Sequence, residues 1–180
     1  MKPQGCSIGF VGLDRGVRLR VISPFLLLML ASGCDPHGRP VSEQDEQDGL
    51  DVLVGDWVEM WNSYDLDQVG NLFLNDPRLS YFSSEKEGVI QGFESVLDHH
   101  RGFGFVPGGE SRPSRLWLEG LRTDVLGEAA VITGIWFFQT DPETGEDPQR
   151  GPVTFVATRD GGVWRFVHMN FSAYLPPETL

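Results

Sequence analysis

The chain has 180 residues, 40% hydrophobic and 11% aromatic, enough to build one domain around a real core. Its 14 basic and 26 acidic residues leave a formal charge of −12, and Lys2, Arg15, Arg18 and Arg20 stand against the single acid Asp14 in residues 1–33, so the remainder is more acidic still. So acidic a body argues against nucleic acid, whose phosphates need a cationic footprint, and against peripheral docking on anionic lipid.

Arg18 and Arg20 precede the apolar run VISPFLLLML, and Ala31-Ser32-Gly33-Cys34 follow it. A basic flank, a short apolar stretch and small residues ahead of a cleavage point make an export signal. The uncharged run ending at Gly33 is too short to span a bilayer, which takes about 20 apolar residues. The cysteine directly after Leu-Ala-Ser-Gly resembles the lipobox of bacterial lipoproteins. That resemblance implies that Cys34 is lipidated, becomes the first mature residue and anchors the protein on the exported side of a bacterial membrane. Cys6 falls in the discarded segment, so the folded part has no cysteine for a disulfide, a thiol nucleophile or a thiolate metal site. Residues 1–33 are read as the signal. Residues 34–49 are polar, without periodic apolar positions, and read as a flexible tether. The folded domain is expected over residues 50–176.

From Leu50, apolar residues recur at helical spacing: Leu53, Val54, Trp57, Met60, Trp61 and Tyr64. Asp65 then resembles an N-cap with Gln68 in the capping-box position, opening a short second helix with Leu66, Val69, Leu72 and Phe73 on one side. Pro77 ends it. Residues 79–83 and 88–92 read as short extended pieces. Phe93, Val96, Leu97 and His100 share one face of a third helix, and the glycine-rich residues 102–113 follow as a loop. Four strand candidates come next, at residues 115–124, 129–139, 153–159 and 163–174. Gly127-Glu128 and Asp160-Gly161-Gly162 make tight hairpin turns, while residues 140–151 form a longer acidic loop. Helices followed by a run of antiparallel strands is an α+β pattern, with helices on one face of a sheet.

In the last strand, simple alternation puts Trp164, Phe166, His168, Asn170 and Ser172 on one face and Val163, Arg165, Val167, Met169 and Phe171 on the other.

WNSYDLDQV, DPRLSYF, GVIQGFESV and the closing RGPVTFVATRDGGVWRFVHMNFS together resemble the nuclear transport factor 2-like superfamily. Within it the chain is similar to SnoaL-like proteins and to the association domain of calcium/calmodulin-dependent kinase II. The resemblance implies a cone-shaped α+β barrel, in which a curved antiparallel sheet wraps an N-terminal helix and two shorter ones. It also implies a pocket between sheet and helices, and a homodimer. It does not imply one activity.

Enzymes of the superfamily need a buried base in the pocket. No carboxylate falls inside residues 79–83, 129–139, 153–159 or 163–174, and the paired carboxylates of a steroid-isomerase-like site are missing. His168 and His100 remain as candidate bases, with Tyr64 or Tyr81 as a donor. The structural reading of His168 is a strand histidine tied to a hydroxyl such as Thr158 or Ser172. The pocket arginines of the kinase association domain match Thr154 and Phe171, neither of them basic. That departure points to the face with Met169 and Phe171 as the pocket side and leaves His168 on the outer or dimer-facing side.

Trp57, Trp61, Tyr64, Tyr81, Trp117 and Trp136, together with Val96, His100, Thr154, Met169 and Phe171, are the expected pocket lining. Adjacent His99 and His100 diverge by about 100° on a helix, so no metal site is expected. No glycine-rich phosphate loop, nucleophile elbow or H-E-x-x-H occurs, and no cofactor is expected. The residues thus suggest a lipid-anchored domain that binds a small apolar or aromatic molecule. Its alternatives are an isomerase, dehydratase or cyclase using a pocket histidine, and an assembly module without ligand.

Overall fold

The structure, a computed structural model, describes residues 42–174. The elements run α1 (Glu43–Ser63), α2 (Val69–Leu72), β1 (Ser80–Phe82), β2 (Ile90–Gln91), α3 (Phe93–Gly102), β3 (Arg115–Leu126), β4 (Ala129–Gln139), β5 (Gln149–Asp160) and β6 (Val163–Phe171). All six strands form one sheet in the order β2-β1-β6-β5-β4-β3. This is the expected α+β arrangement of a sheet with one long N-terminal helix and two shorter ones. One pairing departs from it: β1 runs parallel to β6, so the sheet is mixed rather than wholly antiparallel. Most of the domain separates those two strands, and no hairpin constrains their relative sense. Among the described residues, no helix is long and apolar enough to cross a membrane.

Helix α1 starts earlier than its apolar stripe. Ser42 caps it: the Asp45 N–H donates to Ser42 Oγ at 3.1 Å and the Ser42 N–H to Asp45 Oδ2 at 3.0 Å. Glu43, Asp45 and Glu46 in the first turn suit the positive end of the helix. Residues 43–49, expected to belong to the tether, are therefore helical. Glu46 pins this turn to the sheet. It pairs with Arg159, and Trp164 Nε1 donates to its Oε2 at 3.1 Å. Farther along, Leu50, Leu53, Val54, Trp57, Met60 and Trp61 are buried.

The helix ends at Tyr64 in the left-handed region, with φ of 53°. Asp65 then caps a 3-10 turn at Leu66–Gln68, accepting from the Asp67 N–H. Gln68 Nε2 donates to the Asp65 side chain, while the Asp65 N–H goes to the Met60 carbonyl, so the second half of the expected capping box does not form.

The inner face of the sheet is built by alternation: Ala130, Ile132 and Trp136 on β4, and Val153, Phe155 and Ala157 on β5. Strand β6 breaks the rule. Val156 pairs with His168 and Ala157 with Phe166, which leaves Val167 without a partner in a bulge. Trp164 and Phe166 point inward before it, and Met169 and Phe171 after it. Neither of the two expected faces of this strand is continuous, because the extra residue reverses the parity halfway. A second irregularity, between Glu119 and Arg122, bends β3 at Gly120, whose φ is 62°.

Candidate functional site

Beside the C-terminal end of α1 the inner face leaves a cavity of about 70 Å³. Trp61 and Tyr64 reach it from the end of α1, Tyr81 from β1, Leu116 from β3, Trp136 and Phe138 from β4, and Phe171 from β6. Phe103, just past α3, closes one side. Ser83, Ser84 and Glu85 from the turn after β1, with Gln149 opening β5, form the rest of the lining. The elements converge here because the antiparallel hairpins and the parallel β1–β6 pair bring five strands to one end of α1.

Most polar groups around the cavity are already engaged. The Tyr64 hydroxyl is 2.9 Å from Ser114 Oγ, and Trp136 Nε1 donates to the Ser172 carbonyl at 2.8 Å. Tyr81 is only 2% exposed. Burial, and then the charge of Glu85, push its phenol well above the ordinary range, so it stays protonated and able to donate. Trp57 and Trp61 bury their indole N–H groups without a partner among the described residues.

His100 is fully buried, its ring packed among those of Trp61 (5.6 Å between centroids), Tyr81 (5.9 Å) and Phe105 (5.1 Å). Its Nδ1 lies 2.8 Å from the Val96 carbonyl, which can only accept, so Nδ1 carries the proton and Nε2 is bare. Burial lowers its pKa to about 4, against the opposing effect of the Val96 bond, with His99 adding to the lowering. Its Nε2 has no partner among the described residues, yet the ring sits behind Tyr81 and Trp61 and does not border the cavity. A molecule in the cavity does not touch it.

His168 lies on the outer face of the sheet, where the Val167 bulge sends it. Its Nδ1 is 2.8 Å from Ser80 Oγ on the neighbouring β1, in place of the expected Thr158 or Ser172, and burial lowers its pKa. His99 borders a separate open groove with Glu85, Lys86 and Asp98, and burial lowers its pKa as well. No three His, Cys, Asp or Glu side chains converge as a metal site among the described residues.

Of the expected lining, Trp61, Tyr64, Tyr81, Trp136 and Phe171 border the cavity. Trp57, Val96, His100 and Met169 are instead packed solidly in the core. Trp117 and Thr154 lie on the opposite side of the sheet. Trp117 stacks on its cross-strand partner Phe137 with centroids 5.1 Å apart, and Thr154 alternates with the buried Val153 and Phe155. The search for carboxylates along strands missed Glu85 because it sits in a turn. Phe103 left a faint signal, one of two aromatics, with Phe105, in the glycine-rich stretch after α3.

A mixed α+β sheet around one long helix, with an aromatic cavity at that helix's end, defines the nuclear transport factor 2-like class of fold. The chain belongs to the SnoaL-like domain family, whose pattern matches residues 51–176. Among solved structures it is similar to a nuclear transport factor 2-like protein of unknown function from Pseudomonas putida KT2440. The TM-score is 0.65 at 18% identity, covering 77% of this chain and 93% of that one. A nuclear transport factor 2 superfamily protein from Salmonella enterica gives a TM-score of 0.57 at 20% identity, over 74% of this chain and 92% of its own. A Caulobacter vibrioides protein with a cystatin-like fold gives 0.58 at 15% identity, over 74% and 92%. At these identities the likeness is one of fold alone. No curated protein matches the chain.

Proposed function

We propose that this SnoaL-like domain binds a small apolar or aromatic molecule in the cavity at the end of α1 and performs no chemistry on it. One observation carries the reading: the cavity wall is mostly aromatic side chains, with neither a carboxylate pair nor a histidine among its lining. General acid–base catalysis most often uses a histidine or a tuned carboxylate, and the lining offers only the exposed Glu85 and two tyrosine hydroxyls. Titrating the mature chain with indole or phenol by isothermal titration calorimetry tests this. Saturable binding that Trp136→Leu weakens at least tenfold is the expected result; no binding by either compound up to solubility overturns it.

A second reading, an assembly module whose cavity is vestigial, draws on the smallness of the cavity. The two readings share a surface. Val131, Ile135, Phe137 and Val156 leave the outer sheet face half-buried and apolar, and on our reading a second copy packs there to form a homodimer. Cys34 lies outside the described residues. The lipobox-like run that ends at it supports anchoring by lipid on the exported side of a bacterial membrane.

A further inference from the structure

We infer that the cavity receives its ligand through a cationic ammonium head, of the trimethylammonium or alkylammonium class, whose apolar body is the part the proposed function describes. The inference rests on the cavity being a ligand site and adds the charge that the site accepts.

The lining contains no basic residue, and Glu85 is its single charged group. Aromatic rings present negative faces, and several of them closing around one space attract a cation as water does while excluding water. The rings here are set at differing angles. Tyr81 lies nearly parallel to Phe171 at 17°, while Trp136 tilts against the same Phe171 by 53°. One wall ring already holds a cation: the Arg112 guanidinium sits 4.2 Å from the centroid of Tyr64, with its own charge answered by Glu110 at 3.0 Å. The exposed Glu85 carboxylate stands at the cavity rim, close enough that its charge adds to the effect of burial in raising the Tyr81 phenol. Lys86 borders the adjoining open groove, not the cavity.

At about 70 Å³ the cavity has the volume of roughly two liquid waters, so it takes the methyl face of an ammonium head and leaves the rest of the ligand outside. A neutral hydrogen-bonding ligand is served less well. The Trp61 N–H is buried and Tyr64 and Trp136 are engaged within the fold, which leaves the Tyr81 hydroxyl on the aromatic wall and the Ser83, Ser84 and Gln149 side chains on the polar side as donors. An anion meets Glu85 at the rim and a protein of net charge −12, whereas a cation is drawn by both.

Choline and 3,3-dimethylbutan-1-ol have the same shape and differ by one positive charge, nitrogen against carbon. Both are titrated into the mature protein by isothermal titration calorimetry at low salt, beside indole. Choline is expected to bind at least tenfold more tightly than its carbon isostere. Glu85→Gln, at an exposed turn position, should weaken choline several-fold, leave the isostere unchanged and leave the thermal melt intact. Equal affinities, or tighter binding of the isostere, overturn the ammonium inference while the cavity stands as a ligand site. Choline binding that ignores both Glu85→Gln and Trp136→Leu puts the cation elsewhere and overturns it too. If neither shaped probe binds, the inference fails, and indole then decides separately whether the cavity binds anything.

Discussion

His100 carries the heaviest constraint on any single residue in the domain, because its proton position is fixed and its ring is wholly buried. With Nδ1–H committed to the Val96 carbonyl, charging the ring means protonating Nε2 inside an aromatic shell, and burial lowers the pKa to about 4. The folded value lies below the unfolded one of about 6.5, so the unfolded chain takes up the proton first as pH falls. The contribution of this residue to stability is therefore complete above about pH 7, drains away between about pH 6.5 and 4, and levels off below that. Spread over the whole window, the loss is on the order of 3 kcal/mol, at about 1.4 kcal/mol per pKa unit. Urea melts at several pH values should show that slope in the parent and a much flatter one in His100→Phe. Equal slopes would mean that the ring is charged or solvated in the fold. The sequence made His100 visible as a histidine on an apolar helix face. It could not reveal which atom lay behind it, because that depends on Trp61, Tyr81 and Phe105 arriving from three distant segments.

At the scale of elements, β6 is where a local rule fails and the fold profits. Strict alternation predicts one face for Phe166 and His168 together. The Val167 bulge separates them, so that Phe166 completes the core while His168 turns outward to Ser80 and ties β1 to the centre of the sheet. Nothing in GGVWRFVHMNF marks the extra residue, since bulges are set by pairing across strands and leave little trace in one of them. The start of α1 shows the opposite case. Ser42 and Asp45 spell a capping box in plain sight, but the apolar stripe begins only at Leu50, and the stripe is the louder signal.

From the position of His168 we expect His168→Ala to lower stability by about 1 kcal/mol, the usual worth of one half-buried hydrogen bond. It should also loosen a dimer that packs on the outer face, and leave ligand binding in the cavity unchanged. Thermal melts, sizing and an indole titration of the variant check all three. A variant as stable and as oligomeric as the parent, yet unable to bind indole, would reverse the assignment of this histidine.

For the whole molecule, the order of helices and strands was enough to reach the α+β class, because hairpin turns and apolar stripes are local, while the family came from the resemblance of stretches such as GVIQGFESV. The cavity was only half legible. Trp61, Tyr64, Tyr81, Trp136 and Phe171 stood out as large aromatics in regular elements, while Glu85, Phe103 and Gln149 come from turns and strand ends whose meeting depends on the finished topology. The proposed lipid anchor is a separate question from the fold. Cys34→Ala is expected to release the protein from the membrane fraction or stall its processing while its melt stays that of the parent domain. Mass spectrometry of the native N-terminus gives the direct check, an unmodified cysteine or cleavage elsewhere being the adverse result.

The bend at Gly120 bears on how such a sheet remains finite. Strand β3 is 12 residues long and forms one margin of the sheet, with Leu121, Val125 and Leu126 exposed along it. A straight margin of that length and character is a template on which further chains could add without end. The irregularity between Glu119 and Arg122 breaks its rhythm of donors and acceptors, and the Arg122–Asp124 pair sets charge beside the break. An incoming strand finds two short, misaligned stretches instead of one ladder, so growth at this margin stops before it starts.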